Sequence, residues 1–294
     1  MDMTHCELCP RKCGINRTKG EVGFCGASED AVIGLYSLHK WEEPCISGKN
    51  GSGTVFFSHC TMKCVFCQNY SISTEHHGRT VTADDLCDIF LKLQDMGAHN
   101  INLVTPTHFL ATIIPALEMA KSRGLLIPVI YNCGGYESID TLSMLSGLVD
   151  IYMPDFKYWR EEYATAYSNA PDYRETAKNA LAEMFRQAGS AQFENGLMIR
   201  GMLVRHLLLP GLLYDAKKII DYLYTEYKDD IYISIMNQYT PLPHISNIDA
   251  LNRKVGKNEY DALINYASRI GVKNAYVQEE SSSSDIYIPD FYKK

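Results

Sequence analysis

Three cysteines in one short segment carry the clearest chemical signal of the chain. Cys60, Cys64 and Cys67 lie close together in the segment CTMKCVFC. Structural zinc sites and four-iron clusters both take four ligands when fully coordinated, and thiolates serve both. Three thiolates therefore leave one coordination position open, and an open position is where a substrate or cofactor binds. A zinc knuckle completed by His59 or His76 is the alternative interpretation.

A second group of cysteines lies near the N-terminus, at Cys6, Cys9, Cys13 and Cys25. Four thiolates can close around a metal and leave no vacant position, and the glycines between them permit tight turns. We therefore predict a second, structural metal here, with zinc as first choice and an iron–sulfur cluster as the alternative. Unliganded thiols in a flexible arm are the competing interpretation.

Composition restricts the class of protein. The chain has 294 residues, 46% hydrophobic and 21% charged, which is typical of a globular protein. Its net charge is −7 and its pI about 5.7, so the chain has no excess of positive charge for a phosphate backbone, and we do not expect nucleic-acid binding. The N-terminus lacks the apolar stretch of a signal peptide, and no apolar run reaches the roughly 20 residues of a membrane span. With ten cysteines and no secretion signal, we expect a cytoplasmic location.

Short apolar runs alternate with amphipathic segments after residue 52. The predicted strands are Thr54–Phe57, Ile101–Val104, Ile127–Tyr131, Asp150–Met153, one within Leu197–Leu209, Ile231–Met236 and a further short one at Ala275–Val277. The predicted helices are Thr82–Met96, Phe109–Arg123, Ser138–Leu145, Glu161–Ala188, Tyr214–Tyr227 and Glu259–Ile270.

This alternation predicts an α/β protein with a mostly parallel sheet. Without residues 1–52, the chain is shorter than the roughly 250 residues of a complete eightfold barrel. The fold class that we predict is a partial (β/α)6 TIM-like barrel with an N-terminal cysteine-rich extension. The predicted domains are the extension at 1–52, the barrel at 53–280 and a C-terminal tail at 281–294.

The cysteine motif resembles that of the radical S-adenosylmethionine (SAM) superfamily, in which an aromatic residue, here Phe66, precedes the last cysteine. The resemblance implies a [4Fe–4S] cluster held by Cys60, Cys64 and Cys67, whose fourth iron chelates the amino and carboxylate groups of SAM. One electron then cleaves the sulfonium and leaves methionine and a 5′-deoxyadenosyl radical that abstracts hydrogen from a substrate. The protein supplies position and excludes water.

Further segments resemble the subfamily related to pyruvate formate-lyase activating enzymes. They are EEPCISG, GSGTVFFSHC, CVFCQNYSIS, NLVTPTH, YNCGGYE, DIYMPDFKYW, VRHLLLPG and MNQYTP. This resemblance implies a one-electron reductant of the flavodoxin or ferredoxin type. It also implies either a glycyl-radical enzyme as partner, which we favour, or a target that is a small molecule, a modified residue or a nucleotide.

The resemblance implies cofactor contacts at the ends of the second and third strands. Thr105 and Thr107 stand where other members have a Gly-Gly-Glu loop that contacts the methionine amino group. Asn132 stands where relatives hold the ribose or methionine moiety. The alternative interpretations are that the threonines shape a turn and that Asn132 caps the next helix.

Two later strand ends are also implied to face the cofactor. Asp155 and Lys157 match an Asp-x-Lys pattern whose side chains face the methionine and its carboxylate. Arg205 is a candidate for that carboxylate, because a guanidinium fork has a suitable geometry. Asp155 and Lys157 could instead pair only with each other, and Arg205 could tie a strand to a helix.

For some residues we expect a structural role, and for the whole protein one alternative function stays open. The adjacent acids Glu42 and Glu43 are expected to be solvated, and Cys87 to be a small buried residue within a helix. The sequence identifies no residue that acts on a substrate. A non-catalytic iron–sulfur or zinc protein, used in electron transfer or as a scaffold, is the alternative to the enzyme.

Overall fold

The structure is a computed structural model that describes residues 1–278 and Phe291. One sheet of ten strands runs through this part of the chain, in the order β10-β9-β8-β6-β5-β4-β2-β1-β3, with β7 paired to β8. The strands are β1 (Ala31–His39), β2 (Ser52–Phe57), β3 (Arg79–Val81), β4 (Ile101–Val104), β5 (Val129–Cys133), β6 (Ile151–Pro154), β7 (Gln192–Glu194), β8 (Leu197–Leu207), β9 (Tyr232–Met236) and β10 (Ala275–Val277).

Helices connect the parallel strands. They are α1 (Pro44–Ser47), α2 (Tyr70–Ser73), α3 (Ala83–Asp95), α4 (Leu110–Ser122), α5 (Ile139–Ser143), α6 (Glu161–Ser168), α7 (Tyr173–Ala188), α8 (Leu213–Tyr227) and α9 (Lys257–Ile270). Strands β2, β4, β5, β6, β8 and β9 pair in parallel, and β10 extends them. The predicted fold class, an α/β protein with a partial barrel and a cysteine-rich N-terminus, is confirmed.

Helix α3 shows how local sequence sets an element. The Asp85 backbone N–H donates to Thr82 Oγ1 at 3.1 Å, and the Thr82 N–H donates to the Asp85 carboxylate at 2.9 Å, forming a capping box. Leu86, Phe90 and Leu93 recur at helical spacing and are fully buried. The helix therefore begins where the sequence predicts and turns one face to the sheet.

The predicted helical region Glu161–Ala188 is two helices. Asn169 adopts the left-handed conformation, with φ of 50°, and its N–H donates to Thr165 O at 3.0 Å at the end of α6. Pro171 then lacks the N–H that a continuing helix needs. The chain turns at these residues before α7 begins.

Strand β1 was not predicted, although it lies within the extension at residues 1–52. It pairs antiparallel with both β2 and β3. Gly34 lets it pack closely, because a Cβ there would come within 2.5 Å of the Ile72 side chain. This glycine interrupts the apolar alternation that would have indicated a strand. The division at residue 52 stays a prediction, and β1 belongs to the sheet.

The short helix α1 fills the interior of the barrel. Successive residues of a strand face opposite sides, so Ile130 shares the inner face of β5 with Asn132, and Met153 shares that of β6 with Asp155. Cys45 and Ile46 pack on this inner face, in a cluster that also contains Ile130, Ile151, Met153, Met198 and Leu203. Helix α1 thus forms a floor beneath the carboxyl ends of the strands.

None of the helices within residues 1–278 is long and apolar enough to cross a membrane. The predicted tail at 281–294 lies outside the described residues except for Phe291, whose ring lies 5.4 Å from that of Phe56 in an edge-on contact.

Candidate functional site

A cavity of about 380 Å³ opens at the carboxyl ends of the parallel strands. Its volume lies in the range of small-molecule and cofactor sites. Every predicted site residue lines it: Cys60, Cys64, Phe66, Cys67, Thr105, Thr107, Asn132, Asp155, Lys157 and Arg205. These residues come from five strand ends, which parallel topology brings to one edge of the sheet.

The motif loop presents backbone donors to its cysteines. The Met62 N–H donates to Cys60 Sγ at 3.4 Å, and the Asn69 N–H donates to the Cys67 thiol. The Ser168 hydroxyl donates to Cys64 Sγ at 2.9 Å. Hydrogen bonds to sulfur stabilise thiolates bound to iron. The donor set therefore fits a metal–thiolate centre.

Burial makes Cys60 and Cys67 poor thiolates unless a metal binds them. It raises the pKa of Cys60 to about 12, with Cys64 and Cys67 adding to the shift, and it also raises the pKa of Cys67. A bound metal ion removes the thiol proton and supplies the opposing charge.

A zinc knuckle and a [4Fe–4S] cluster make different demands on the positions of the thiolates. Within residues 1–278, no group of three or more Cys, His, Asp or Glu is placed to hold a single metal ion. His59 and His76, the proposed fourth zinc ligands, stack on each other with ring centroids 4.1 Å apart. In a [4Fe–4S] cluster each thiolate binds a different iron, so its sulfurs need not converge on one point.

Phe66 fixes the loop from beneath. It is buried and makes edge-on contacts with Tyr158 and Tyr239, at centroid distances of 6.4 Å and 6.3 Å. The backbone of His59 and Lys63 has positive φ, at 69° and 51°. The loop therefore adopts a strained path that its aromatic anchor holds in place.

The end of β4 is strained as well. Thr105 has φ of 57°, uncommon for a β-branched residue, and its N–H donates to Asn132 O at 2.8 Å. Asn132 itself is almost fully buried at the end of β5 and lines the cavity. This hydrogen bond holds two predicted cofactor residues side by side.

Thr107 contacts Glu137, a candidate functional residue that was not predicted from the sequence. Its hydroxyl donates to Glu137 Oε2 at 2.8 Å, and Tyr131 donates to both. Burial raises the pKa of Glu137 to about 7, and the hydrogen bonds of Thr107, Tyr131 and Cys133 oppose that rise. Glu137 is the last residue of the segment YNCGGYE. The sequence feature that could have identified it is a carboxylate soon after a strand end.

Asp155 and Lys157 form a pair on the cavity wall. The ammonium of Lys157 contacts the Asp155 carboxylate, and both side chains are mostly buried. Burial alone would lower the pKa of Lys157, but the charge of Asp155 outweighs it and raises that pKa. The pair thus keeps both charges inside the cavity.

Arg205 ties the barrel to the segment before α1. Its Nε donates to Glu43 Oε1 at 3.0 Å and its Nη2 to Glu43 Oε2 at 2.7 Å, and Nη2 also contacts Glu42. Burial would raise the pKa of Glu43, but Arg205 outweighs burial and lowers it. Glu42 also accepts from Asn102 Nδ2 at 2.9 Å.

The expectation that these acids are solvated is wrong. The side chains of Glu42 and Glu43 are only 9% and 7% exposed, because α1 carries them into the barrel. The sequence feature that could have indicated their burial is the apolar run that follows them directly in EEPCISG. Two carboxylates therefore already bind Arg205 and compete for it with any cofactor carboxylate.

None of the ten cysteines, all of which lie in the described part of the chain, forms a disulfide. Cys6, Cys9 and Cys25 are buried and Cys13 is exposed. Cys87 is fully buried in α3, as predicted, and Cys133 lines the cavity.

Comparison with known proteins gives one match to a family model and one to a curated relative. A family model described as the Radical SAM superfamily matches residues 54–223. Uncharacterized protein MJ0674 of Methanocaldococcus jannaschii (strain ATCC 43067 / DSM 2661 / JAL-1 / JCM 10045 / NBRC 100440) is 27% identical over 284 residues, covering 92% of this chain and 77% of its own.

Two solved structures match part of this chain. Streptococcus suis SuiB bound to the precursor peptide SuiA matches 75% of this chain and 46% of its own, with 13% identity and a TM-score of 0.49. Active domain 2 of the thermostable chitinase from Pyrococcus furiosus matches 67% of this chain and 71% of its own, with 12% identity and a TM-score of 0.38. Likeness at this level carries no functional argument.

The family match covers more than half of the chain and contains every residue predicted to bind the cluster and cofactor. Its range begins after the N-terminal cysteines and after Glu42 and Glu43, so those features are additions to the matched region. The chain belongs to the radical SAM superfamily.

Proposed function

We propose that the protein is an enzyme that binds a [4Fe–4S] cluster through Cys60, Cys64 and Cys67 and holds SAM in the adjoining cavity. The observation that carries this proposal is that the three thiols and all seven predicted cofactor residues line one cavity. Backbone N–H groups aimed at Cys60 and Cys67 support the same assignment.

When bound, the reduced cluster supplies one electron that cleaves SAM to methionine and a 5′-deoxyadenosyl radical. The chain's own residues hold and shield the reactants. Asp155 and Lys157 provide opposite charges on one wall, suited to the amino and carboxylate groups of methionine. Thr105 and Asn132 form the neighbouring wall, joined by a hydrogen bond. The floor formed by α1 excludes water from below, which protects a radical from side reactions.

The finer proposal is that the substrate is a glycine of a glycyl-radical enzyme. The motif segments that resemble the activating enzymes support it. A second support is the rim of the cavity, where Trp41 and Val277 are 64% and 54% exposed. Exposed apolar side chains at the entrance of a site favour docking of a protein partner. A flavodoxin or ferredoxin would supply the electron.

Anaerobic reconstitution tests the proposed enzyme. The protein would be treated with iron and sulfide, reduced with dithionite and mixed with SAM, and 5′-deoxyadenosine would be quantified. The proposal expects 5′-deoxyadenosine and methionine in equal amounts. An intact cluster without SAM cleavage would instead support the non-catalytic iron–sulfur protein, and one bound zinc in place of iron would support the zinc alternative.

The partner is tested by isotope transfer. A glycyl-radical enzyme made with deuterated glycine would be incubated with the reduced protein and SAM. Deuterium in 5′-deoxyadenosine and a glycyl radical in the electron paramagnetic resonance (EPR) spectrum would support activation. Cleavage of SAM that leaves the partner without a radical would overturn the finer proposal and leave the enzyme assignment intact.

A further inference from the structure

The N-terminal cysteines form a compact group outside the family-matched region. The loop closes on itself, since the Cys6 N–H donates to Ile15 O at 2.9 Å and the Gly14 N–H donates back to Cys6 O at 3.0 Å. Cys9 lies close enough to Cys13 and Cys25 to interact with them electrostatically, and Cys25 does so with Cys6 and Cys13. All four thiols therefore lie in one neighbourhood.

The backbone around these cysteines repeats the pattern of the motif loop. The N–H of Arg11, two residues after Cys9, donates to the Cys9 thiol. The N–H of Ala27, two residues after Cys25, lies 3.5 Å from Cys25 Sγ. The motif loop has the same contact two residues after Cys60 and after Cys67. Donors aimed at sulfur favour thiolates that are bound to metal.

A buried cation gives an independent reason to place negative charge here. Arg17 is 1% exposed, and its guanidinium donates to Ser28 O at 2.9 Å and to His108 O at 2.6 Å. It also lies 3.9 Å from Cys6 Sγ. Within the described part of the chain, each of these partners is neutral. A buried charge without an opposite charge is costly, so a negatively charged centre beside it would be strongly favoured.

We propose that Cys6, Cys9, Cys13 and Cys25 bind a second [4Fe–4S] cluster, with Arg17 as its buried counter-charge. Four thiolates give such a centre a net negative charge. We choose a cluster over zinc, because the backbone N–H donors around these cysteines repeat the pattern of the motif loop. Cys13 is exposed and gives the metal and sulfide an entry route. This revises the preference for zinc drawn from spacing alone.

The second cluster would also support the first. Arg11 donates from Nε to Thr61 O, inside the motif loop, at 3.0 Å, and from Nη2 to Ser168 O at 3.0 Å. The Arg11 guanidinium stacks over Phe24 at 3.9 Å, next to Cys25. The N-terminal loop is therefore packed against the wall that carries Cys60 and Cys64, and metal at the second site would hold that wall in position.

The test is iron and sulfide analysis of the full chain, reconstituted anaerobically. The triple variant Cys60→Ala/Cys64→Ala/Cys67→Ala is expected to retain about four iron and four sulfide, and Cys9→Ala/Cys25→Ala is expected to retain the same amount at the other site. The control Cys87→Ala should hold about eight of each, like the unaltered protein. A triple variant of native circular dichroism that holds zinc or no metal would overturn the proposal.

Two variants that spare every thiol test the site without relying on a deleted ligand. Arg17→Gln should reduce iron at the N-terminal site several-fold, whereas Arg200→Gln, which also removes an arginine bound to carbonyls, should not. Gly23→Ala should do the same as Arg17→Gln, because its Cβ would come within 2.5 Å of Cys13 Sγ. If any variant fails to fold, iron analysis of the unaltered reconstituted protein still decides, since about four iron per chain in place of eight would overturn the second cluster.

Discussion

Arg205 on β8 binds Glu43 through two hydrogen bonds, at 3.0 Å and 2.7 Å, and so joins the barrel wall to the segment that enters the barrel with α1. Glu42 contacts the same guanidinium. All three side chains line the cavity, and the two acids come from outside the family-matched residues 54–223. The floor of the site is thus made by a part of the chain that the family match does not include.

The first prediction concerns this buried triad. Arg205→Met leaves two buried carboxylates without their positively charged partner and should lower the free energy of unfolding by about 3–5 kcal/mol. The triple variant Glu42→Gln/Glu43→Gln/Arg205→Met should recover most of that loss, because no charge is left unpaired. Denaturant unfolding of each variant provides the measurement.

The exposed pair Arg253–Glu259 is the matched control, with N and O atoms 2.7 Å apart. Arg253→Met should cost no more than about 1 kcal/mol, because solvent screens that pair. Equal losses at Arg205 and Arg253 would show that the triad is solvated, contrary to the structure.

The second prediction concerns the pH dependence that Glu137 produces. Its pKa of about 7 in the fold lies above its ordinary value of 4.5. Its contribution to stability is therefore fully present below about pH 4.5 and is lost as pH rises through 7. Glu137→Gln removes this loss, so the variant should gain stability over the unaltered protein by on the order of 2–3 kcal/mol between pH 5 and 8.

Unfolding free energies of both proteins at pH 5 and pH 8 give the comparison. A stability difference that is the same at both pH values would mean that Glu137 titrates normally. Asp140→Asn, a nearby acid in the first turn of α5, serves as the control.

The bounds of a strand could be predicted from the sequence where its local pattern of apolar residues agreed with its burial in the sheet. Ile101–Val104 and Ala275–Val277 were predicted to the residue, because each is a short apolar run that the sheet buries or half-buries. Strand β1 was not, because Gly34 breaks its alternation for a reason that only its contact with Ile72 explains. A close contact between segments that are distant in the chain cannot be predicted from the local sequence of either one.

The third prediction concerns strain at Thr105. A non-glycine residue in the left-handed region costs about 1–2 kcal/mol, so Thr105→Gly should leave stability unchanged or slightly raised despite glycine's greater chain entropy. Loss of the hydroxyl should weaken SAM binding about tenfold if that group contacts the cofactor. Thr105→Ser, which keeps the hydroxyl, should bind SAM like the unaltered protein.

Isothermal titration of SAM into each reconstituted variant provides the measurement. Unchanged affinity in Thr105→Gly would indicate that the residue only shapes the turn, the alternative interpretation of this position.

The fourth prediction concerns Ser168, whose hydroxyl donates to Cys64 Sγ at 2.9 Å. A hydrogen bond to the ligand sulfur favours the reduced, more negative cluster, so Ser168→Ala should lower its reduction potential. The shift should be on the order of tens of mV, since about 1 kcal/mol corresponds to roughly 40 mV for one electron.

An EPR-monitored redox titration measures the potential. Ser122→Ala is the control, because Ser122 donates to Met119 O at the exposed end of α4, away from the cluster cysteines. A potential that does not change in Ser168→Ala would separate this serine from the cluster.

The residues that line the candidate site could be predicted from the sequence, but their hydrogen-bond partners could not. Strand ends in a parallel barrel converge, so Asn132, Asp155 and Arg205 could be placed together from the order of elements alone. Their hydrogen bonds could not, since Glu43 reaches Arg205 from 162 positions away in the chain. The burial of Glu43 depends on α1 entering the barrel, which no periodicity in a four-residue helix can indicate.

The measurement that tests the central claim most directly compares 5′-deoxyadenosine formation in Cys64→Ala and Cys87→Ala. Both replace a buried cysteine, but only Cys64 lines the cavity. After reconstitution and reduction with dithionite, Cys87→Ala should cleave SAM like the unaltered protein. Cys64→Ala should keep its fold and form no 5′-deoxyadenosine. Turnover retained in Cys64→Ala would contradict the assignment of the cluster to Cys60, Cys64 and Cys67.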